Sequence, residues 1–325
     1  MLIRIPRGWE LRESAATSES VFRTRRQLLK TVVSGSILAV APLAACSPAD
    51  EEEMAEAVDE ASLYPVPRNP AYTIERELTP MDVAGTYNNF YEYGSSKDIW
   101  RDAQQLRTRP WEIVIDGLVE REFTIGIDEL LSRMPLEERV YRHRCVEAWS
   151  MTVAWSGFPM RAFVEMADPL SSAKYVRMET FNDKSMAPGL RQFWYPWPYV
   201  EGLTVAEATN ELAFLVTGAY GQTLPKQHGA PLRLAVPWKY GFKSGKSLVR
   251  FTFTEEQPLN FWQEVQGAEY GFWANVHPDV AHPRWSQATE RVLGSGERIP
   301  TLVLNGYGEF VSHLYQGMED QRIWF

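Results

Sequence analysis

The 325-residue chain has only two cysteines, Cys46 and Cys145. That excludes a disulfide framework, a Cys₄ zinc site and a four-thiolate iron–sulfur cluster. A Cys-x-x-Cys-His haem-attachment motif is absent, and so is a strand–GxGxxG–helix unit, which disfavours a nicotinamide-binding fold. Positive charge is in short supply: 33 Lys+Arg stand against 42 Asp+Glu, a net charge of −9, which argues against nucleic acid as a general partner. No internal repeat and no His-x-x-x-His pair is present, so a zinc site has little to build on. What the chain does have is apolar and aromatic mass, 45% hydrophobic and 13% aromatic with 12 Trp. That is ample for a folded core and incompatible with a disordered or fibrous chain.

The N-terminal stretch reads as an address. Thr24-Arg25-Arg26-Gln27-Leu28-Leu29-Lys30 precedes an apolar run from Thr31 to Ala45. Fifteen helical residues rise about 22 Å, short of the roughly 30 Å hydrocarbon core. A basic region, a short apolar region and small residues at its end predict a signal peptide over 1–45, and the Arg25-Arg26 pair resembles a twin-arginine signal, the route taken by proteins exported folded. Leu43-Ala44-Ala45-Cys46 resembles a lipobox, with Cys46 as the acylated mature N-terminus; plain cleavage near an Ala-x-Ala site is the alternative. Residues 47–62 carry seven acids and no base, so 46–75 is read as an acidic, flexible tether. Residues 1–45 hold seven bases and three acids, so their removal leaves a chain of net charge −13.

From residue 76 onward the pattern predicts an α+β domain of many short strands and few short helices. Trp111–Ile115 runs into Asp116-Gly117, a hairpin signal, and Glu122–Ile125 returns. Asp128 is placed as the cap of a short helix through Met134. Further strands are read at Arg139–Val146, Lys174–Thr180, Glu211–Thr217, Arg233–Val236 and Leu248–Phe253. Short helices are read at Arg161–Met166 and Val205–Thr209.

Cys145 follows Arg142, His143 and Arg144, and cationic surroundings favour the thiolate, which is both a nucleophile and a soft metal ligand. An inert buried cysteine is the commonest fate of a free thiol. A thiol hydrolase is a rival, because His143, His228, His277, His282 or His313 can fold beside the sulfur as its base. A cofactor-free binding module is another.

Larger blocks then carry a resemblance. Arg144-Cys145-Val146-Glu147-Ala148-Trp149-Ser150, with Trp155-Ser156-Gly157-Phe158-Pro159, resembles the sulfite-oxidase family of molybdopterin enzymes. So do His228-Gly229-Ala230-Pro231-Leu232-Arg233 and the stretch Val236 to Ser247. The segments Tyr87–Gly94, Tyr270–Val276 and His282–Arg291 are similar to one subgroup of it, the periplasmic catalytic subunits that reduce methionine sulfoxide in proteins. The chain is expected to lack the C-terminal dimerisation β-domain of animal and plant sulfite oxidases and to act as a monomer.

The resemblance implies that Cys145 binds molybdenum and that Asn88, Tyr91, Glu92, Thr180, His228, Arg233, Ser244, Gly245 and Lys246 contact the molybdopterin. Arg233 and Lys246 would meet its phosphate, and glycines at 241 and 245 would permit close approach. Glu147 and Asn89 are the catalytic candidates beside Cys145, for proton delivery or substrate hydrogen bonding. Trp149, Trp155, Trp238 and Tyr240 are expected to wall the site. The implied activity is molybdenum-dependent reduction of methionine sulfoxide in exported proteins, a protein repair; a sulfite or other S-/N-oxide oxidoreductase is the alternative on the same fold. With no haem, flavin or nicotinamide motif of its own, the chain is expected to take electrons from a membrane haem-b subunit linked to quinone or flavin.

Overall fold

The computed structural model describes residues 60–318 and 320–324. The signal peptide, the lipobox at Cys46 and the acidic run through residue 59 lie outside the described residues. The last part of the proposed tether does not behave as one. Tyr64 donates to Thr217 Oγ1 at 2.8 Å, Asn69 N–H donates to the Glu138 carbonyl at 2.8 Å, and Arg68 pairs with Glu138 at 2.6 Å. Residues from about 64 onward are therefore joined to the domain, ahead of the boundary expected at 76.

Among the described residues, twelve strands build two sheets. The first comprises β1 (Glu112–Gly117), β2 (Phe123–Gly126), β5 (Tyr175–Thr180), β6 (Val200–Thr204) and β10 (Leu248–Thr254), in the order β2-β1-β10-β5-β6. The second comprises β3 (Glu137–Cys145), β4 (Trp149–Pro159), β7 (Phe214–Ala219), β8 (Gln222–Thr223), β9 (Arg233–Ala235), β11 (Thr289–Val292) and β12 (Arg298–Pro300). Its spine runs β12-β11-β4-β7-β8, with β3 paired to β4 and β9 to β7. Among the described residues six α-helices, each four to eight residues long, cover the sheets. None is long and apolar enough to cross a membrane. This is the α+β class read from the sequence.

The expected hairpin forms, but Asp116-Gly117 end β1 beside Thr252 and Phe253 of β10, and residues 118–122 make the connection to β2. Gly117 takes φ +82°, and a Cβ there would lie 2.4 Å from the Phe253 carbonyl, so the residue must be glycine. The next helix spans Ile127–Arg133 with Gly126 at its N-cap. Asp128 does not cap it; its carboxylate pairs with Arg109 at 2.8 Å, within the first turn where negative charge suits the helix dipole.

The longest strand, β4, is one the sequence pattern did not show. Ten of its eleven residues are buried. It takes β3 along one edge and β11 and β7 along the other, and side chains on both of its faces are buried, so no apolar–polar alternation arises. Gly157 is required at its irregular junction with β7, since a Cβ would sit 2.1 Å from the Leu215 carbonyl.

The loop after β9 is fastened from below by two buried ion pairs. Lys239 meets Glu207 at 2.5 Å and Lys243 meets Glu201 at 2.6 Å, all four side chains inaccessible to solvent. Removing one partner of such a pair costs about 3–5 kcal/mol, so the segment 239–246 is firmly placed.

Candidate active site

Cys145 ends β3 and Trp149 begins β4, and the two face each other in register. Residues 146–148 make the turn, closed by Ala148 N–H donating to the Cys145 carbonyl at 3.1 Å, with Ala148 in the left-handed region at φ 60°. The tight turn fixes the thiol in the lining of a cleft that encloses about 830 Å³ with its open mouth included.

Asn88, Asn89, Tyr91, Glu92, Cys145, Glu147, Arg233, Ser244, Gly245 and Lys246 all line that cleft. Two sequence candidates stand behind it. Thr180 donates to Glu92 Oε1 at 2.8 Å, and His228 is buried with its ring 5.5 Å from that of Trp155. Of the expected aromatic walls only Trp149 reaches the cleft. Trp155 lies under Arg233, Trp238 donates to Tyr315 Oη at 2.6 Å, and the Tyr240 hydroxyl meets the His277 carbonyl at 3.4 Å; each is core. The real aromatic walls are Phe90, Tyr91, Tyr199, Trp262 and Tyr270. Tyr199 and Trp262 come from segments with no motif, so no local signal marked them.

Lys97 was also unmarked. Asn88 N–H donates to the Lys97 carbonyl at 2.9 Å, which folds Lys97 back onto the motif eight residues before it. Its ammonium contacts Glu147 Oε2 at 2.6 Å and also the Asn89 side-chain carbonyl. Trp149 Nε1 donates to the same Glu147 oxygen at 3.0 Å, and Asn89 Nδ2 approaches it at 3.4 Å. That oxygen lies 3.8 Å from Cys145 Sγ. Burial opposes ionisation of Glu147, but the bonds from Lys97, Trp149 and Asn89 outweigh it and hold the carboxyl below its usual range.

The thiol itself is not activated by its neighbours in sequence. Burial first, then the Glu147 charge, pushes Cys145 up to about 12. Arg144 turns away to Glu290 at 2.9 Å and Gln287 Oε1 at 2.8 Å, while Arg142 reaches the Gly306 carbonyl. Burial, then Arg233 and Lys246, pushes His143 down to about 3. A neutral histidine with no hydrogen bond to a protonated thiol is not a hydrolase dyad. A metal ion would change this, because a bound cation takes the sulfur as thiolate and releases the proton.

Deeper in the cleft the charge is positive and unmatched. Arg233 bonds the carbonyls of His228 at 2.8 Å and Leu234 at 3.3 Å, and Lys246 bonds those of Asn89 at 2.8 Å and Gln227 at 2.7 Å. Neither has a carboxylate partner among the described residues. Burial lowers Arg233 to about 10, and burial together with Arg233 lowers Lys246. His228, neutral for the same causes, leaves Nδ1 unpartnered. Burial raises Glu92 to about 7, against the bond from Thr180. Buried cations held only by carbonyls fit an anion that completes them. Gly241 keeps the approach narrow, since a Cβ there would lie 2.4 Å from His143 Nε2.

These residues fit a molybdopterin. Among the described residues no group of three or more His, Cys, Asp or Glu could hold a metal ion. A lone soft thiolate therefore suits a metal that arrives already chelated by sulfur. Cys145 would bind it, Arg233 and Lys246 would hold the phosphate, and Ser244 and Gly245 line the same wall.

Comparison with known proteins agrees. Residues 101–262 match the model of the oxidoreductase molybdopterin binding domain. The protein-methionine-sulfoxide reductase catalytic subunit MsrP of Pseudomonas syringae pv. tomato is 46% identical over 98% of this chain and 98% of its own. The MsrP of Burkholderia mallei is 42% identical over 96% of this chain and 95% of its own. Among solved structures, the sulfane dehydrogenase SoxCD from Paracoccus pantotrophus aligns with 66% of this chain and 56% of that chain, at a TM-score of 0.41 and 18% identity. That last likeness is too loose to argue from. The near full-length identity to the two reductases, joined to the cleft around Cys145, shows that this chain belongs to the family of molybdopterin-dependent protein-methionine-sulfoxide reductase catalytic subunits.

Proposed function

We propose that the chain repairs exported, periplasmic proteins by reducing their methionine sulfoxide, with electrons from a membrane haem-b subunit linked to quinone or flavin. Each turnover converts one sulfoxide, two electrons and two protons to a thioether and water. The bound cofactor supplies two-electron exchange and accepts the oxygen atom. The signal-like segment at 24–45 supports export, and the name "catalytic subunit" carried by the relatives supports a separate electron donor. The chain is read as a monomeric catalytic subunit, with one cofactor per chain.

The observation that carries this reading is the pairing of Cys145 with Glu147 at the reacting end of the cleft. Glu147, 3.8 Å from the sulfur and ion-paired with Lys97 at 2.6 Å, leaves no net positive charge there for a dianion such as sulfite and suits a neutral sulfoxide. Lys97 presents an ammonium proton at Glu147 Oε2, and Asn89 offers an amide N–H beside it, so donors are ready for an oxygen that must leave as water. The rings of Tyr91, Trp262 and Tyr270 exclude water and suit a thioether, which packs well against aromatics. Reduced-viologen assays with methionine-sulfoxide protein, beside sulfite-oxidation assays, decide the matter. Sulfoxide-dependent viologen oxidation without sulfite turnover is expected; sulfite turnover alone would overturn the reading.

A further inference from the structure

A second depression lies on the outer side of the Cys145 turn. Glu147 and Trp149 line both it and the main cleft, so residues 146–149 form the wall between them. Its far side carries Tyr87, Trp285, Arg291 and Arg298. Each is held in place. Arg291 N–H donates to the Ala148 carbonyl at 2.9 Å, its guanidinium reaches Tyr87 Oη at 3.2 Å, and Trp285 Nε1 donates to the Val146 carbonyl at 2.7 Å. Arg298 bonds Thr289 Oγ1 at 3.1 Å.

The two arginines are direct cross-strand partners in the β11–β12 ladder. Like charges in that position repel and weaken a sheet. Among the described residues neither has a carboxylate within ion-pair distance, and the nearest acid in the depression, Glu147, is engaged by Lys97. Two guanidinium groups kept opposite each other, unpaired and beside aromatic rings, form a receptor for a carboxylate.

We propose that this depression is a subsite for the substrate polypeptide, binding an aspartate or glutamate a few residues from the methionine sulfoxide. The shared wall sets the geometry: the sulfoxide enters the cleft on one side of residues 146–149 while the flanking chain lies across the other. This rests on the reading of the chain as a reductase of protein-bound methionine sulfoxide.

The test uses the holoenzyme, reduced viologen as donor, and short peptides with one methionine sulfoxide and a single Glu or Lys at two to five residues on either side. Free methionine sulfoxide is the reference substrate. For the wild type, the best Glu peptide should exceed its Lys counterpart in kcat/KM by about 3- to 10-fold, as expected for two partly exposed charge pairs. That ratio should shrink toward one at about 0.5 M salt. It should fall toward one in Arg291→Ala/Arg298→Ala and drop below one in Arg298→Glu. A ratio of one in the wild type, or a preference unchanged in both variants, overturns the proposal. So does a charge dependence that appears only when a protein electron donor replaces viologen, since the surface would then serve that donor. Fluorescence anisotropy of the corresponding unoxidised methionine peptides gives a readout independent of turnover. If free and peptide sulfoxides are both inert, the functional reading fails, and the Glu-over-Lys binding ratio still decides the subsite.

Discussion

At the scale of single residues, Cys145 shows how far a motif and its chemistry can part. Three basic neighbours in sequence imply a low thiol pKa, yet a strand sends successive side chains to opposite faces, and Arg144 spends its charge on Glu290. Buried, with its thiol pushed up to about 12, the sulfur is poorly set up as a free nucleophile and suited to a metal that takes it as thiolate. Cys145→Ser should purify folded, with thermal unfolding near that of the wild type and with cofactor still bound through the rest of the cleft, but with reductase turnover reduced to background. Elemental analysis and the viologen assay check this; wild-type turnover would remove Cys145 as the ligand. Lys97 is the residue that the sequence could not nominate, because its relation to Asn89 and Glu147 exists only after the 88–98 loop folds back. Lys97→Met should lower kcat by about 10- to 100-fold while molybdenum content stays at the wild-type level, the usual size for loss of a group that orients a metal-site neighbour. Unchanged kcat would deny it that part.

Elements of two kinds were legible: half-exposed β5 by its alternation, and fully buried β7 and β9 as short apolar runs. The β1–β2 hairpin, β3, β5, β10 and the helix at Met160–Ala167 all fall within a few residues of their sequence-based positions. Strand β4 was not, because burial on both faces erases alternation and its Ser150, Thr152 and Ser156 read as loop. The site was legible through its blocks: Asn88, Cys145, Arg233 and Lys246 come together as the resemblance implies. The walls Tyr199 and Trp262 lie in no such block, and their only common property is where the chain brings them. Gly157→Ala tests the β4–β7 junction. The added methyl meets backbone and not a flexible side chain, so a loss of about 1–3 kcal/mol or more is expected in denaturant unfolding. A neutral outcome would mean that the strands can slide apart there at no cost.

For the whole molecule, the buried charges tie stability to pH. Glu92 is raised to about 7 by burial, so the folded state holds its proton more tightly than the unfolded one. Its contribution is present below the ordinary carboxylate pKa and is lost as pH climbs through about 7, on the order of 3 kcal/mol. Lys246, lowered by burial, pulls the other way, which makes a comparison necessary. In cofactor-free protein, Glu92→Gln should unfold at a temperature that depends less steeply on pH between about 4.5 and 7 than the wild type's. Parallel curves for the two proteins would mean that Glu92 titrates as it does in water.

The cleft is assembled from five places far apart in the chain: 88–92, 143–151, Tyr199, 233–246 and 262–270. No fragment holds more than a part of it, so a ligand that binds there binds the folded chain and not the unfolded one. Binding of that kind slows global opening by mass action. The two cations held only by carbonyls make the difference between loaded and unloaded chains large. A loaded chain should therefore outlast an unloaded one in a protease digest.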